Sequence, residues 1–113
     1  MTYSLQGKKV AVIGAGGLTG SALTNRLVDM EVDVYPWYHL KAPLGKRHGT
    51  ALDYAHCENM VSDMNVIFHV AAVSSGAKIM KGDPLCLVQP NLVMGANLLE
   101  AARHARVEKF IGS

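Results

Sequence analysis

Apolar and polar residues alternate along the chain in short blocks that predict strands and helices in turn. Residues 10–13 form an apolar, β-branched run, which is typical of a strand buried on both faces. From Leu18 to about Met30 apolar residues recur at helical spacing, which predicts an amphipathic helix. Its predicted apolar stripe consists of Leu18, Ala22, Leu23, Leu27 and Met30. The pattern predicts further strands at residues 31–40, 50–52, 65–73 and 107–113, and a helix from Tyr54 to about Asp63.

The last helical region is interrupted by a proline. Apolar residues at 85, 87 and 88 predict one or two helical turns, which Pro90 is expected to break or kink. A stronger helical pattern runs from Asn91 to Arg106. Its predicted apolar stripe consists of Leu92, Ala96, Leu99 and Ala102, widened by Val93 and Leu98. In the second strand, Pro36 favours a place at an edge or a bulge.

Four glycines, at positions 14, 16, 17 and 20, separate the first strand from the first helix. The order of strand, glycine-rich turn and helix favours a phosphate-binding site. Gly14 suits a tight turn off the strand, Gly17 leaves room for a pyrophosphate, and Gly20 lets the helix pack closely on the sheet. The free N–H groups near Leu18 and Thr19 would face the phosphates. The alternative is a structural turn with no ligand.

The composition limits the protein to a small globular domain. The chain has 113 residues, of which 50% are hydrophobic and 18% charged, so disorder is not expected. A net charge of +2 without a basic stripe gives no reason to expect nucleic-acid binding. Cys57 and Cys86 lack metal-site spacing and are interpreted as free thiols. No apolar run indicates a signal peptide or a membrane span, so a cytoplasmic protein is expected.

The end of the second strand bears on the choice of cofactor. In NAD-binding folds an acidic residue there binds the ribose 2′-hydroxyl. About 20 residues beyond the glycines, this chain instead has Tyr38, His39, Leu40 and Lys41, with no Asp or Glu. This favours NADP over NAD, because no carboxylate would repel a 2′-phosphate. Lys41, Lys46 and Arg47 can pair with that phosphate, or they can be solvated loop charges.

The combined motifs resemble those of the extended short-chain dehydrogenase/reductases, the NAD-dependent epimerase/dehydratase family. The glycines at 14, 17 and 20 match its GxxGxxG form, and Phe68–His69–Val70–Ala71–Ala72 matches its strand ending in small residues. The stretch AAVSSGAKIMKGDP is similar to a loop of nucleotide-sugar epimerases and GDP-fucose synthase-like enzymes. The resemblance covers residues 8–113. It implies a doubly wound α/β fold of the Rossmann type, with about five parallel strands in the order 3-2-1-4-5, truncated after strand 5.

The resemblance also implies roles for individual residues. Asp53, followed by Tyr54, would contact the adenine, and Asp53 can equally be the N-cap of the next helix. Ala71, Ala72 and Val73 would lie against the nicotinamide ribose. Asn91 would be the family's active-site Asn, or an N-cap after Pro90. Ser113 would begin the catalytic Ser/Thr segment.

Other polar residues near these motifs have plainer interpretations. His69 is interpreted as a core residue rather than a catalyst. Ser74, Ser75 and Lys78 are interpreted as loop residues, with substrate contact as the alternative.

The function implied is hydride transfer at a sugar carbon of a nucleotide sugar, with NADP or NAD as cofactor. The family's catalytic Tyr and Lys follow the fifth strand and are absent from these residues, so residues 1–113 are expected to bind cofactor but not to turn over substrate. Exposed apolar surface on the last helix and strand makes a homodimer plausible. The alternative functions are a non-catalytic nucleotide sensor of the NmrA-like kind and a structural partner without a ligand.

Overall fold

Five parallel strands form one sheet, with helices on both faces, in the computed structural model of the chain. The structure describes residues 4–39, 47–71 and 85–112, with the backbone alone at 85–88. The strands lie in the order β3-β2-β1-β4-β5, which confirms the expected doubly wound topology. They are β1 (Lys9–Ile13), β2 (Asp33–Tyr38), β3 (Arg47–His48), β4 (Val66–His69) and β5 (Lys109–Gly112). The helices are α1 (Leu18–Asp29), α2 (Tyr54–Val61) and α3 (Leu85–His104).

The central strand β1 is buried on both faces, as its apolar run predicts. Val10 and Val12 pack with Leu27 of α1 on one face of the sheet. Ala11 and Ile13 belong to the cluster on the other face, which α2 and α3 cover. A parallel strand between two helical layers has no solvent face, and this explains the lack of polar alternation in its sequence.

The buried face of α1 matches only part of the predicted stripe. Leu27 is buried as predicted and Leu23 packs against the same cluster, whereas Leu18 is 91% exposed and Met30 is 48% exposed. Gly20 and Thr24, which the stripe did not include, are also buried. Small residues face the sheet because the start of the helix lies very close to the end of β1. The hydroxyl of Thr24 donates to the carbonyl of Gly20 at 2.7 Å, which lets a polar residue occupy this face.

The helix α3 runs through Pro90 without a break, so of the two predicted effects, a break or a kink, the break is wrong. Proline removes one backbone hydrogen bond from a helix, but the helix continues beyond it. The predicted apolar stripe is confirmed only in part, because Leu98 and Ala102 are buried whereas Leu92 and Leu99 are 67% and 54% exposed. The residues that belong to the core are Met94, Leu98, Ala101 and Ala102.

The third strand, predicted at residues 50–52, lies instead at Arg47–His48. It pairs with Trp37 and Tyr38 of β2, and a last bond runs from Gly49 N to the Tyr38 carbonyl at 2.8 Å. Residues 50–52 then turn, because Ala51 is drawn into the cluster beneath α2 and α3. The stretch is therefore a turn and not a strand, with Ala51 buried and Leu52 exposed.

Pro36 lies in β2, an inner strand of the sheet, and in regular register with β1, rather than at the predicted edge or bulge. The Trp37 carbonyl faces β1, where it accepts hydrogen bonds from the turn that follows that strand. Because neighbouring residues of a strand point to opposite sides, the Pro36 nitrogen faces β3. The ladder with β3 begins only at Trp37, so the proline displaces no described ladder bond.

The amino ends of three strands are fastened by one side chain that the pattern did not single out. Asn65 Oδ1 accepts from the backbone N–H of Lys9 at 2.8 Å, and Asn65 Nδ2 donates to Glu108 at 2.8 Å. Glu108 also pairs with Lys8 at 3.0 Å. This network lies opposite the carboxyl edge of the sheet, where ligands of doubly wound folds bind. Within the described ranges, no helix is long and apolar enough to cross a membrane.

Candidate functional site

The glycine-rich turn after β1 is held by close backbone contacts and main-chain hydrogen bonds. Gly14 has a φ of +101°, and a Cβ built there would lie 2.7 Å from the N and Cα atoms of Ala71. The N–H groups of Gly14 and Ala15 both donate to the Trp37 carbonyl, at 3.1 and 3.0 Å. The turn is therefore fixed between the ends of β2 and β4, and a side chain at position 14 is excluded by both strain and contact.

Gly20 is required by packing, whereas Gly17 is not. A Cβ at Gly20 would lie 1.9 Å from the Gly14 carbonyl oxygen, which confirms the predicted close approach of helix and turn. A Cβ at Gly17 would meet only that same oxygen, at an ordinary 3.6 Å. Gly17 also has an unstrained backbone, with φ −78°. The fold therefore does not explain a glycine at position 17.

The start of α1 suits an anion. Gly17 is the N-cap, no side chain caps the helix, and its first turn contains no acidic residue. The first N–H groups of a helix have no partner within it, and the helix dipole favours negative charge there. Leu18 and Thr19 are both exposed at this end.

The end of β2 presents a half-buried tyrosine and an exposed histidine. Tyr38 packs into the α1-side cluster, and its Cδ2 lies 3.3 Å from a Cβ built on Gly16. His39 is exposed. The guanidinium of Arg47 lies 5.0 Å over the ring of Tyr35, further back along β2, so this geometry gives no support to a contact with a 2′-phosphate. Lys41 and Lys46 lie outside the described residues.

Asp53 caps α2, as one of its two interpretations predicts. Its Oδ1 accepts from Ala55 N at 2.9 Å and from His56 N at 3.4 Å. The adenine contact of Asp53 stays a prediction. Tyr54 begins the helix and is half-buried, and burial raises the pKa of its hydroxyl.

The end of β4 brings Ala71 beneath the glycine-rich turn, while Ala72 and Val73 lie outside the described residues. His69, the last residue of β4, is half-buried, with its ring 6.1 Å from that of Phe110. Its Nδ1 is buried and has no hydrogen-bond partner in the part of the chain that the structure describes. Burial lowers the pKa of this imidazole. His69 is thus packed as a core residue, but one whose ring nitrogen is unsatisfied.

Asn91 lies inside α3, so the alternative role as an N-cap after Pro90 is wrong. It is half-buried, and its predicted place in the active site stays a prediction. Ser113 lies outside the described residues, as do Ser74, Ser75 and Lys78.

Three side chains that the pattern missed hold the turn between β3 and α2. His56 Nδ1 accepts from Thr50 N at 3.0 Å. Asn97 Nδ2 and Cys57 Sγ both donate to the Ala51 carbonyl, at 3.0 and 3.4 Å. Asn97 could have been noticed as an amide among the apolar residues of α3. Burial raises the pKa of the Cys57 thiol to about 11, so it is protonated at neutral pH.

Metal chemistry finds no support among these residues. Across the three described ranges, no group of three or more His, Cys, Asp and Glu side chains could hold a metal ion.

The family follows from comparison with known proteins. The model of the NAD dependent epimerase/dehydratase family matches residues 10–113. The chain belongs to this family. A search of curated proteins finds no match to the sequence.

Solved structures of similar fold support this assignment. The UDP-glucose 4-epimerase of Thermus thermophilus, solved with NAD, is 28% identical, with a TM-score of 0.73 over 90% of this chain and 36% of its own. A short-chain dehydrogenase/reductase superfamily protein of Agrobacterium tumefaciens, with bound NAD, is 22% identical, with a TM-score of 0.77 over 92% of this chain and 31% of its own. The dTDP-glucose 4,6-dehydratase of Streptomyces venezuelae is 20% identical, with a TM-score of 0.73 over 90% of this chain and 38% of its own. This family member therefore spans about a third of the length of these proteins.

Replacing Gly17 and Gly20 by alanine should have different effects on the free energy of unfolding. Gly20→Ala should lower the free energy of unfolding by about 3 kcal/mol or more, because backbone atoms must move to admit the Cβ. Gly17→Ala should change it by less than about 1 kcal/mol, since its backbone and surroundings accept alanine. Urea unfolding followed by circular dichroism measures both. Equal losses for the two variants would contradict this account of the turn.

His69 should make the fold sensitive to mild acid. Its folded-state pKa is lowered, so the unfolded chain binds the proton more tightly and stability is lost as pH falls below the ordinary histidine value of about 6.5. His69→Leu should weaken the decline in unfolding free energy between about pH 7 and pH 5. The exposed His39→Leu variant should keep the wild-type decline. If the unfolding free energy of His69→Leu declines with falling pH as steeply as that of wild type, the burial of His69 does not cause the acid sensitivity.

Proposed function

We propose that this chain is the dinucleotide-binding part of a nucleotide-sugar epimerase, dehydratase or reductase that uses NAD or NADP. The proposal rests on the structure at the start of α1. Gly17 leaves a space there that a side chain would fill, although packing does not require a glycine. Unpartnered N–H groups and the absence of an acid favour a pyrophosphate in that space.

The remaining contacts follow the carboxyl edge of the sheet. The adenine lies near Asp53 and Tyr54, and the adenosine ribose near Tyr38 and His39. The nicotinamide ribose lies against residues 71–73. These places succeed one another along the edge in the observed strand order, because β3, β2, β1 and β4 are neighbours.

The proposal covers either nicotinamide cofactor. The end of β2 carries no carboxylate to repel a 2′-phosphate, and Lys41 is close enough in sequence to pair with one. NAD is supported by the Thermus thermophilus epimerase, which was solved with it. When bound, the cofactor supplies a carbon centre that accepts or donates hydride.

Catalysis requires side chains that residues 1–113 do not supply. In the proposed reaction Asn91 orders the active site through its side-chain amide, and Ser113 begins the segment that orients the substrate oxygen. The proton transfer is performed by a Tyr and a Lys that follow the fifth strand in the family.

The 113-residue chain should therefore bind cofactor without turning over substrate. We expect no formation of product when it is incubated with UDP-glucose and NAD, as followed by chromatography of the sugar nucleotides. A full-length UDP-glucose 4-epimerase, assayed in parallel, is the control. Steady conversion by the short chain would show that its own residues suffice.

Cofactor binding should depend on the space at Gly17. The chain has a single tryptophan, Trp37, whose carbonyl holds the glycine-rich turn, so its fluorescence should respond to titration with NAD or NADP. Gly17→Val should weaken binding by about tenfold or more, because the side chain occupies the pyrophosphate position.

Gly95→Val provides a matched control, since a Cβ there meets no atom within 4 Å and the position lies in the middle of α3. It should bind as tightly as wild type. Equal affinities for wild type and Gly17→Val, with both folded, would overturn the proposed pyrophosphate site.

A further inference from the structure

The turn between β3 and α2 lies at the carboxyl edge of the sheet, where the proposed function places the adenine. Two of its hydrogen bonds are local: Asp53 N to the Thr50 carbonyl at 3.1 Å, and Leu52 N to Thr50 Oγ1 at 3.2 Å. A third, from Gly49 N to the Tyr38 carbonyl at 2.8 Å, ties the start of the turn to β2. The two local bonds define the shape of residues 50–53 but do not fix their place over the sheet. That place depends on side chains that reach it from the helices.

His56 supplies the contact that comes from α2. Its Nδ1 lies 3.0 Å from Thr50 N. A backbone N–H can only donate, so Nδ1 accepts, and the ring is in the neutral form with its proton on Nε2. The ring also lies against the chain as it leaves β3, since a Cβ built on Gly49 would be 3.5 Å from the same nitrogen.

We propose that His56 is a positioning residue for dinucleotide binding, which holds the turn at residues 49–53 in place by accepting the Thr50 N–H. This inference rests on the proposed function, because it concerns the adenine end of that site. His56 acts through Thr50 and not by touching the cofactor. Asn97 fixes the following residue from α3, through the Ala51 carbonyl, so the turn is held from two helices.

The bond to Thr50 requires an unprotonated ring. An imidazolium has no lone pair at Nδ1, so protonation releases the Thr50 N–H. Asp53 caps the same helix, and His48 precedes Gly49 in β3. Neither side chain restores the lost acceptor, so a protonated His56 cannot hold the turn in this way.

Two substitutions at position 56 distinguish the effect of the hydrogen-bond acceptor from the effect of the imidazole ring. His56→Ala removes the acceptor, and we expect the dissociation constants for NAD and for ADP, which carries the adenine half alone, to rise about fivefold. His56→Asn places an amide oxygen near the position of Nδ1, and we expect both constants to stay within about twofold of wild type. His104→Ala, at the far end of α3, should leave both constants unchanged. Calorimetric titration at about pH 7.5 measures them.

The pH dependence of NAD affinity provides the second readout. Wild type should lose affinity on acidification, because a protonated ring at position 56 cannot accept the Thr50 N–H. His56→Asn should lose much less, because an amide does not titrate. Circular dichroism at each pH confirms that the proteins stay folded. If His56→Ala fails to fold, the comparison of pH profiles can still be made, because it needs only wild type and His56→Asn.

The possible outcomes separate the inference from the proposed function. Equal NAD affinity of wild type and folded His56→Ala, or parallel pH profiles of wild type and His56→Asn, overturns the positioning role alone. Loss of affinity in His56→Ala, rescue in His56→Asn and a flattened pH profile support it. A wild-type chain that binds neither NAD nor NADP overturns both the proposed function and this inference.

Discussion

The contact between Gly14 and Gly20 is the constraint on which the candidate site depends. A Cβ built on Gly20 would lie 1.9 Å from the Gly14 carbonyl oxygen, so this oxygen excludes any side chain at position 20. This contact brings the first turn of α1 against the end of β1. It thereby places the unpartnered N–H groups of that helix at the carboxyl edge of the sheet, where a phosphate group can reach them. It also explains why the small residues Gly20 and Thr24 face the sheet in the first turns of α1, ahead of the buried Leu27.

The two ends of the proposed cofactor site are built in different ways. The pyrophosphate end consists of backbone, because glycines and main-chain hydrogen bonds to Trp37 fix its shape. The adenine end is a turn held by side chains, with His56 and Asn97 reaching it from two helices. A backbone site needs only glycine at a few positions. A turn held by side chains depends on the residues of α2 and α3, so its geometry can vary between relatives that share the glycine motif.

Much of the fold could be predicted because its signals are local. The run at β1 and the glycines that follow it predict a strand, a turn and a helix in consecutive segments, and the structure has all three. The predicted strand at residues 50–52 is wrong for a physical reason. An apolar stretch predicts burial, and Ala51 is buried, but it is buried in a turn that is held by Cys57 from the next helix and by Asn97, 46 residues further along the chain. No pattern within three residues carries that information.

The same limit explains the errors in the helix faces. An amphipathic pattern records which residues are apolar but not which of two apolar stripes faces the sheet. In α3, both the Met94 and Leu98 stripe and the Leu92 and Leu99 stripe satisfy helical spacing, and only the first is buried. The amide of Asn97 lies on the same side of α3 as the buried stripe and donates to the Ala51 carbonyl. That side of the helix therefore carries both its apolar contacts with the core and a polar contact with the turn after β3. Because that helix also carries Asn91, the same contact links the adenine end of the proposed site to the place where catalysis is expected.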